Sequence, residues 1–110
     1  MIDKVMTAQQ AVKKYIHNSD TVFIGGFGHA IPFAIAHEMV RQKKHSLNLV
    51  KTGADIIFDL LVAGGCASRL SCGWYGNPGI GISNIISKAV ASGELALTET
   101  TNFSMMLRLH

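Results

Sequence analysis

Apolar and polar positions alternate along this chain in two periods, one helical and one extended. Thr7 opens the first helical pattern. Thr7 and Gln10 have the spacing of a capping box, and Ala8, Ala11, Val12, Tyr15 and Ile16 form one apolar stripe. His17-Asn18-Ser19-Asp20 is a turn, and residues 21–24 (TVFI) then read as a short strand, apolar after Thr21. Gly25–Gly28 is a loop. Pro32 suits the first turn of a second helix whose buried face is Phe33, Ile35, Ala36, Met39 and Val40. Residues 47–52 (LNLVKT) predict a second strand that Gly53 ends. Asp55 is placed to cap a third helix running through Val62, stopped by Gly64-Gly65. Residues 67–72 (ASRLSC) predict a third strand, and residues 73–81 (GWYGNPGIG) a loop. A fourth helix spans Ser83 to Ala91 with Ile85, Ile86, Ala89 and Val90 inward and Gly93 as its stop. Residues 95–100 (LALTET) are a fourth strand, and Phe103, Met106, Leu107 and His110 begin a last helix.

Helices alternating with strands predict an α/β domain with a mostly parallel sheet, right-handed crossovers and helices on both faces. The pattern contains no repeat, no low-complexity segment and no linker, so residues 1–110 are read as one domain. The last helical pattern runs to His110 with no stop signal after it. The chain is therefore expected to be the N-terminal portion of something longer.

Composition sharpens this. Of the 110 residues, 48% are hydrophobic and only 15% charged, with a mean hydropathy of +0.28. That is apolar for a free-standing domain and anticipates either burial against a partner or membership of something larger. No run approaches the roughly 20 apolar residues of a membrane span, and the start lacks a secretory core, so a cytoplasmic location is the expectation. The net charge is +3. Its densest cluster, Arg41, Lys43, Lys44 and His45, fits a solvated helix end, not a nucleic-acid surface. Cys66 and Cys72 lie in apolar sequence without histidine at ligand spacing, which predicts buried reduced thiols and no metal site.

Ligands of parallel α/β sheets bind beyond the carboxyl ends of the strands. Three such ends carry unusual residues: Gly25-Gly26-Phe27-Gly28, the run from Gly73 to Gly81, and Glu99-Thr100-Thr101-Asn102. Glycines let a backbone approach a ligand closely, and N–H groups at a helix start favour anions. The first loop is not a dinucleotide fingerprint, because it lacks the third glycine and no acidic residue ends the second strand. Nor is it a P-loop, since no Gly-Lys-Ser/Thr follows. His29 is the one histidine in a site-like loop, and even there a capping or solvent-facing ring is the expected role. No nucleophile elbow is present. Asp55 reads as a cap, Asp59 and Glu94 as surface residues, and Glu99 as the acidic residue nearest the three loops.

Taken in order, these pieces resemble the A (α) subunits of family I coenzyme A transferases. The likeness runs through Lys4-Val5-Met6-Thr7 and its Ala-Val helix, Val22-Phe23-Ile24-Gly25-Gly26-Phe27, Gly73 to Asn77, Ser92-Gly93-Glu94-Leu95, Thr100-Thr101-Asn102 and Arg108-Leu109. Residues 53–65 and 73–81 are most similar to the glutaconate branch. The chain departs from the family pattern at Ile31, where a glycine is usual, and at Pro32, which comes one residue early. The resemblance implies a CoA-transferase fold and a protein that works with a B (β) subunit in a hetero-oligomer. That partner subunit would carry the catalytic glutamate, so this chain alone would be inactive. The resemblance also implies an acyl-CoA thioester and a carboxylic acid as substrates, with no permanently bound cofactor. Gly25, Gly26, Phe27 and Gly28 with Gly76 and Asn77 would line the pocket, and Asn102 would orient substrate. For Gly25 and Gly26 a tight turn is the competing role, for Asn102 a helix cap. Trp74 and Tyr75 would pack under the partner or line the pocket. A CoA-dependent hydrolase or ring-cleaving enzyme on the same fold, and an inactive truncated interaction module, remain as alternatives.

Overall fold

A computed structural model describes residues 4–110. Helix α1 (Ala8–Tyr15) starts at the expected capping box: Thr7 Oγ1 accepts from the Gln10 N–H at 3.2 Å, and Gln10 Oε1 accepts from the Thr7 N–H at 3.0 Å. Strand β1 (Thr21–Phe23) leads through the glycine loop to α2 (Phe33–Arg41), β2 (Leu47–Val50), β3 (Gly53–Ala54) and α3 (Ile56–Ala63). Then come β4 (Ala67–Cys72), β5 (Trp74–Asn77), β6 (Gly81–Ile82), α4 (Asn84–Ser92), β7 (Ala96–Glu99) and α5 (Asn102–Leu109).

The main sheet is wholly parallel, in the order β1-β2-β4-β7. Each strand is laid down on the same side of its predecessor. Right-handed crossovers then bring successive helices to one face. Helices α1 to α4 accordingly touch in series, α1 on α2, α2 on α3 and α3 on α4. The core lies between them and the sheet. Leu49 and Leu70 from the strands meet Met39, Ile57, Phe58, Leu61 and Ile86 from the helices, all fully buried. Met105 of α5 is buried outside this cluster. Thr21, Phe23, Ala96 and Thr98 alternate away from the core and are exposed.

The structure corrects the expected strand-to-loop boundaries. Strand β2 ends at Val50, two residues before the expected end. The ladder runs on one residue, with the Lys51 N–H donating to the Ser71 carbonyl at 3.1 Å, and the Gly73 N–H donating to the Thr52 carbonyl at 2.8 Å. Past this point the neighbouring segments continue side by side into a second small sheet, β3-β5-β6, where Gly53 pairs with Trp74 and Ala54 with Tyr75. Gly53 therefore begins a strand where an end was expected. The expected loop 73–81 is mostly a hairpin: β5 and β6 are antiparallel, closed by the Ile80 N–H donating to the Asn77 carbonyl at 3.0 Å. In α5 the expected apolar face is turned outward, with Phe103, Met106 and Leu107 at 71%, 65% and 61% exposure.

Candidate functional site

Parallel strands all end on the same edge, so the glycine loop, the β4–β5 corner and the start of α5 come together there. In the first loop, Gly26 has φ +84°, and a Cβ on it would stand 2.9 Å from the Ala30 carbonyl carbon and 3.0 Å from the His29 carbonyl oxygen. This glycine is required by a turn that folds back on itself. Gly28 is also left-handed at +69°, with open space around it, and Gly25 likewise faces open space. Between them Phe27 reaches across the edge. Its ring meets the Trp74 ring edge-on at 6.3 Å between centroids and 71° between planes. It also covers Gly53, where a Cβ would stand 3.0 Å from the ring.

Asn102 comes to the same corner from the other side. It is the first residue of α5, and the cap is its neighbour: Thr101 Oγ1 accepts from the Ser104 N–H at 3.0 Å. The capping role expected as an alternative for Asn102 thus belongs to Thr101. The Asn102 backbone N would lie 2.9 Å from any Cβ at Gly73, and its side-chain oxygen also crowds that position. Gly73 and Trp74 therefore join the Phe27 loop to Asn102. Alongside is a cleft of about 420 Å³ lined by Cys72, Trp74, Tyr75, Ile82 and Leu97, with Glu99 and Thr100 among its polar members. Tyr75 faces this cleft and also packs on the core, so it both lines the cleft and supports the fold.

Asn77 is not among the residues that line this cleft. Its Nδ2 donates to Asp59 Oδ2 at 3.1 Å, and Ser83 Oγ donates to Asp59 Oδ1 at 2.5 Å while accepting from the Ile86 N–H at 3.0 Å. Asp59, expected at the surface, is half-buried and ties the β5–β6 hairpin to α3 and α4. Gly76 lies in the same hairpin, with the Trp74 ring over it. The second correction is Asp55. It occupies the N-cap position of α3 without a capping hydrogen bond. Its carboxylate accepts instead from Lys51 Nζ at 3.0 Å, with both side chains at most 3% exposed. Sequence reasoning misses this pair: the spacing of four residues falls in non-helical chain, where it predicts no contact.

Burial pushes the Cys72 thiol up to about 11; the Trp74 backbone pulls it down and the charge of Glu99 adds to the rise. Cys66 is also raised by burial. Both thiols are free and buried. At pH 8 neither should react with an aromatic disulfide reagent in the native protein, and both should react in urea, followed by absorbance. For Cys72 the sign of the pH effect is fixed. Between pH 9 and about 11 the unfolded chain has released a proton that the native state still holds, so stability falls as pH rises through that window. Among the described residues no three His, Cys, Asp or Glu side chains group as metal ligands, and no helix is long and apolar enough to cross a membrane.

Known proteins share the sequence pattern and the fold. The family model for coenzyme A transferase matches residues 5–110. The A subunit of the 3-oxoadipate CoA-transferase of Pseudomonas knackmussii is 41% identical over 90 residues, covering 82% of this chain and 32% of the relative. The A subunit of the glutaconate CoA-transferase of Acidaminococcus fermentans is 26% identical over 99% of this chain and 35% of its own. The crystal structure of that enzyme superposes with a TM-score of 0.91 over 98% of this chain and 35% of its own. The crystal structure of a variant of the decarboxylase AibA/AibB shares the fold, with a TM-score of 0.84 at 24% identity over 94% of this chain and 41% of its own. The chain spans about a third of the length of the curated relatives it matches. By the match over residues 5–110, it belongs to the coenzyme A transferase family.

Proposed function

We propose that this chain is the N-terminal portion of a CoA-transferase α subunit and that its strand-end loops form one wall of an acyl-CoA pocket. The observation that carries the reading is the meeting of Phe27, Gly73-Trp74 and Asn102 beside the 420 Å³ cleft. These are groups for shaping and orienting: aromatic faces, close backbone and one amide. The nucleophile is a glutamate supplied by the β subunit. Its carboxylate attacks the thioester carbonyl, expelling CoA thiolate and leaving an acyl–glutamyl anhydride. The thiolate attacks the glutamyl carbonyl, releasing the first acid and forming an enzyme–CoA thioester, and the acceptor acid reverses the sequence. Coenzyme A enters as a substrate thioester and no cofactor stays bound. Gly25, Gly26 and Gly28 let the wall approach the thioester, Asn102 orients the acid, and Asn77 fixes the hairpin that closes one side.

The complete α subunit with its β partner should catalyse acceptor-dependent CoA exchange with ping-pong kinetics. Initial rates measured across a grid of acyl-CoA and acid concentrations give parallel double-reciprocal lines under this mechanism. Thioester hydrolysis without any dependence on the acceptor would place the complex among hydrolases instead.

A further inference from the structure

Lys51 stands directly behind the glycine loop, and neither the pocket nor the core accounts for it. Its ammonium is buried and bound to Asp55, whose second oxygen, Oδ2, is buried with no hydrogen-bond partner among the described residues. An incompletely satisfied buried ion pair adds little net stability; apolar side chains of similar volume often serve as well. The aromatic surroundings suggest what the charge does. Lys51 Nζ lies 5.3 Å from the Phe58 ring centroid and 5.9 Å from that of Phe27. A cation within about 6 Å of a ring is drawn to the electron-rich face. Phe58 is fully buried in α3 and gives a fixed floor. Phe27 is 44% exposed, on a segment flanked by left-handed Gly26 and Gly28. Apolar contact alone is non-directional and would let so free a ring slide.

We propose that Lys51 is a positioning residue. Held by Asp55, its ammonium seats the Phe27 ring against Trp74 and so sets the shape of the acyl pocket's wall. The consequence for substrate binding rests on the transferase reading above; the seating of Phe27 does not.

The test uses the complete α subunit with its partner, labelled with 5-fluorotryptophan. The Trp74 fluorine resonance is assigned with Trp74→Phe. Removing both charges, in Lys51→Met/Asp55→Leu, should shift or broaden that resonance and raise KM for the acid by about tenfold, with kcat changed much less. Lys51→Arg, which keeps the cation, should hold the resonance near its original position. Phe27→Leu provides a second route should the double variant fold poorly. It should reproduce the KM change, and adding Lys51→Met to it should raise KM no further. An unmoved Trp74 resonance in the double variant overturns the seating, and a moved resonance with unchanged KM overturns its role in binding. If the unaltered complex exchanges no CoA, the transferase reading falls while the resonance still decides the seat.

Discussion

Lys51→Met, made alone, should lower folding stability by about 3–5 kcal/mol. The substitution removes the one hydrogen bond that the Asp55 carboxylate, 2% exposed, makes among the described residues, where its Oδ2 is already without a partner. A buried carboxylate left without its cation is an unpaired polar group in an apolar site, and that costs folding energy. The charge-free pair Lys51→Met/Asp55→Leu should recover most of the loss, because two apolar side chains can fill the same space without a charge to satisfy. Urea unfolding of the three proteins measures the difference directly. A single variant within about 1 kcal/mol of the original would mean that Asp55 finds another partner, and the burial argument would fail.

Gly26→Val should abolish function far more than folding. At φ +84° a side chain costs about 1–2 kcal/mol for the left-handed backbone alone. The added Cβ also meets the backbone of His29 and Ala30. The loop lies outside the core, so it can re-form in another shape while the sheet and helices persist. That new shape displaces Phe27, and a misplacement of about 1 Å near a reacting centre can cost on the order of a hundredfold in rate. The expected result is a complex that melts within a few degrees of the original yet exchanges CoA at least about a hundredfold more slowly. Parallel losses of folded protein and activity would falsify the division between wall and scaffold.

The elements that can be read from the sequence are those whose signals are local. Except at Phe33 and Ile85, which are 40% and 43% exposed, the apolar stripes of α2 and α4 form as the pattern predicts, and so do the capping box at Thr7 and Gly93 at φ +81° after α4. So does the placement of the three chemically unusual segments on one edge, which follows from parallel topology alone. The small sheet is not legible. Strands of two residues such as Gly53-Ala54 and Gly81-Ile82 are too short to show a period, and glycine there suggests a turn. Asp55 and Asp59 escape sequence reasoning for a related reason. A carboxylate before a helix predicts a cap, and one on a helix predicts solvent. Which cation or amide comes to it from 4 or 18 residues away is settled only by the tertiary fold.

On the proposed reading, the close approach at Gly73 also constrains how the pocket could diversify among substrates. The start of α5 rests directly on the β4–β5 corner, and any side chain at position 73 would push against the backbone of Thr101 and Asn102. A change of specificity that began there would move a whole helix. Tyr75 and Ile82 line the cleft with their side chains, from paired strands of the small sheet. Ile82, 55% exposed, can vary in size and polarity at the expense of local packing alone, whereas Tyr75 also packs on the core. The corner is thus the fixed point of the pocket, and its adaptable surface lies on the hairpin.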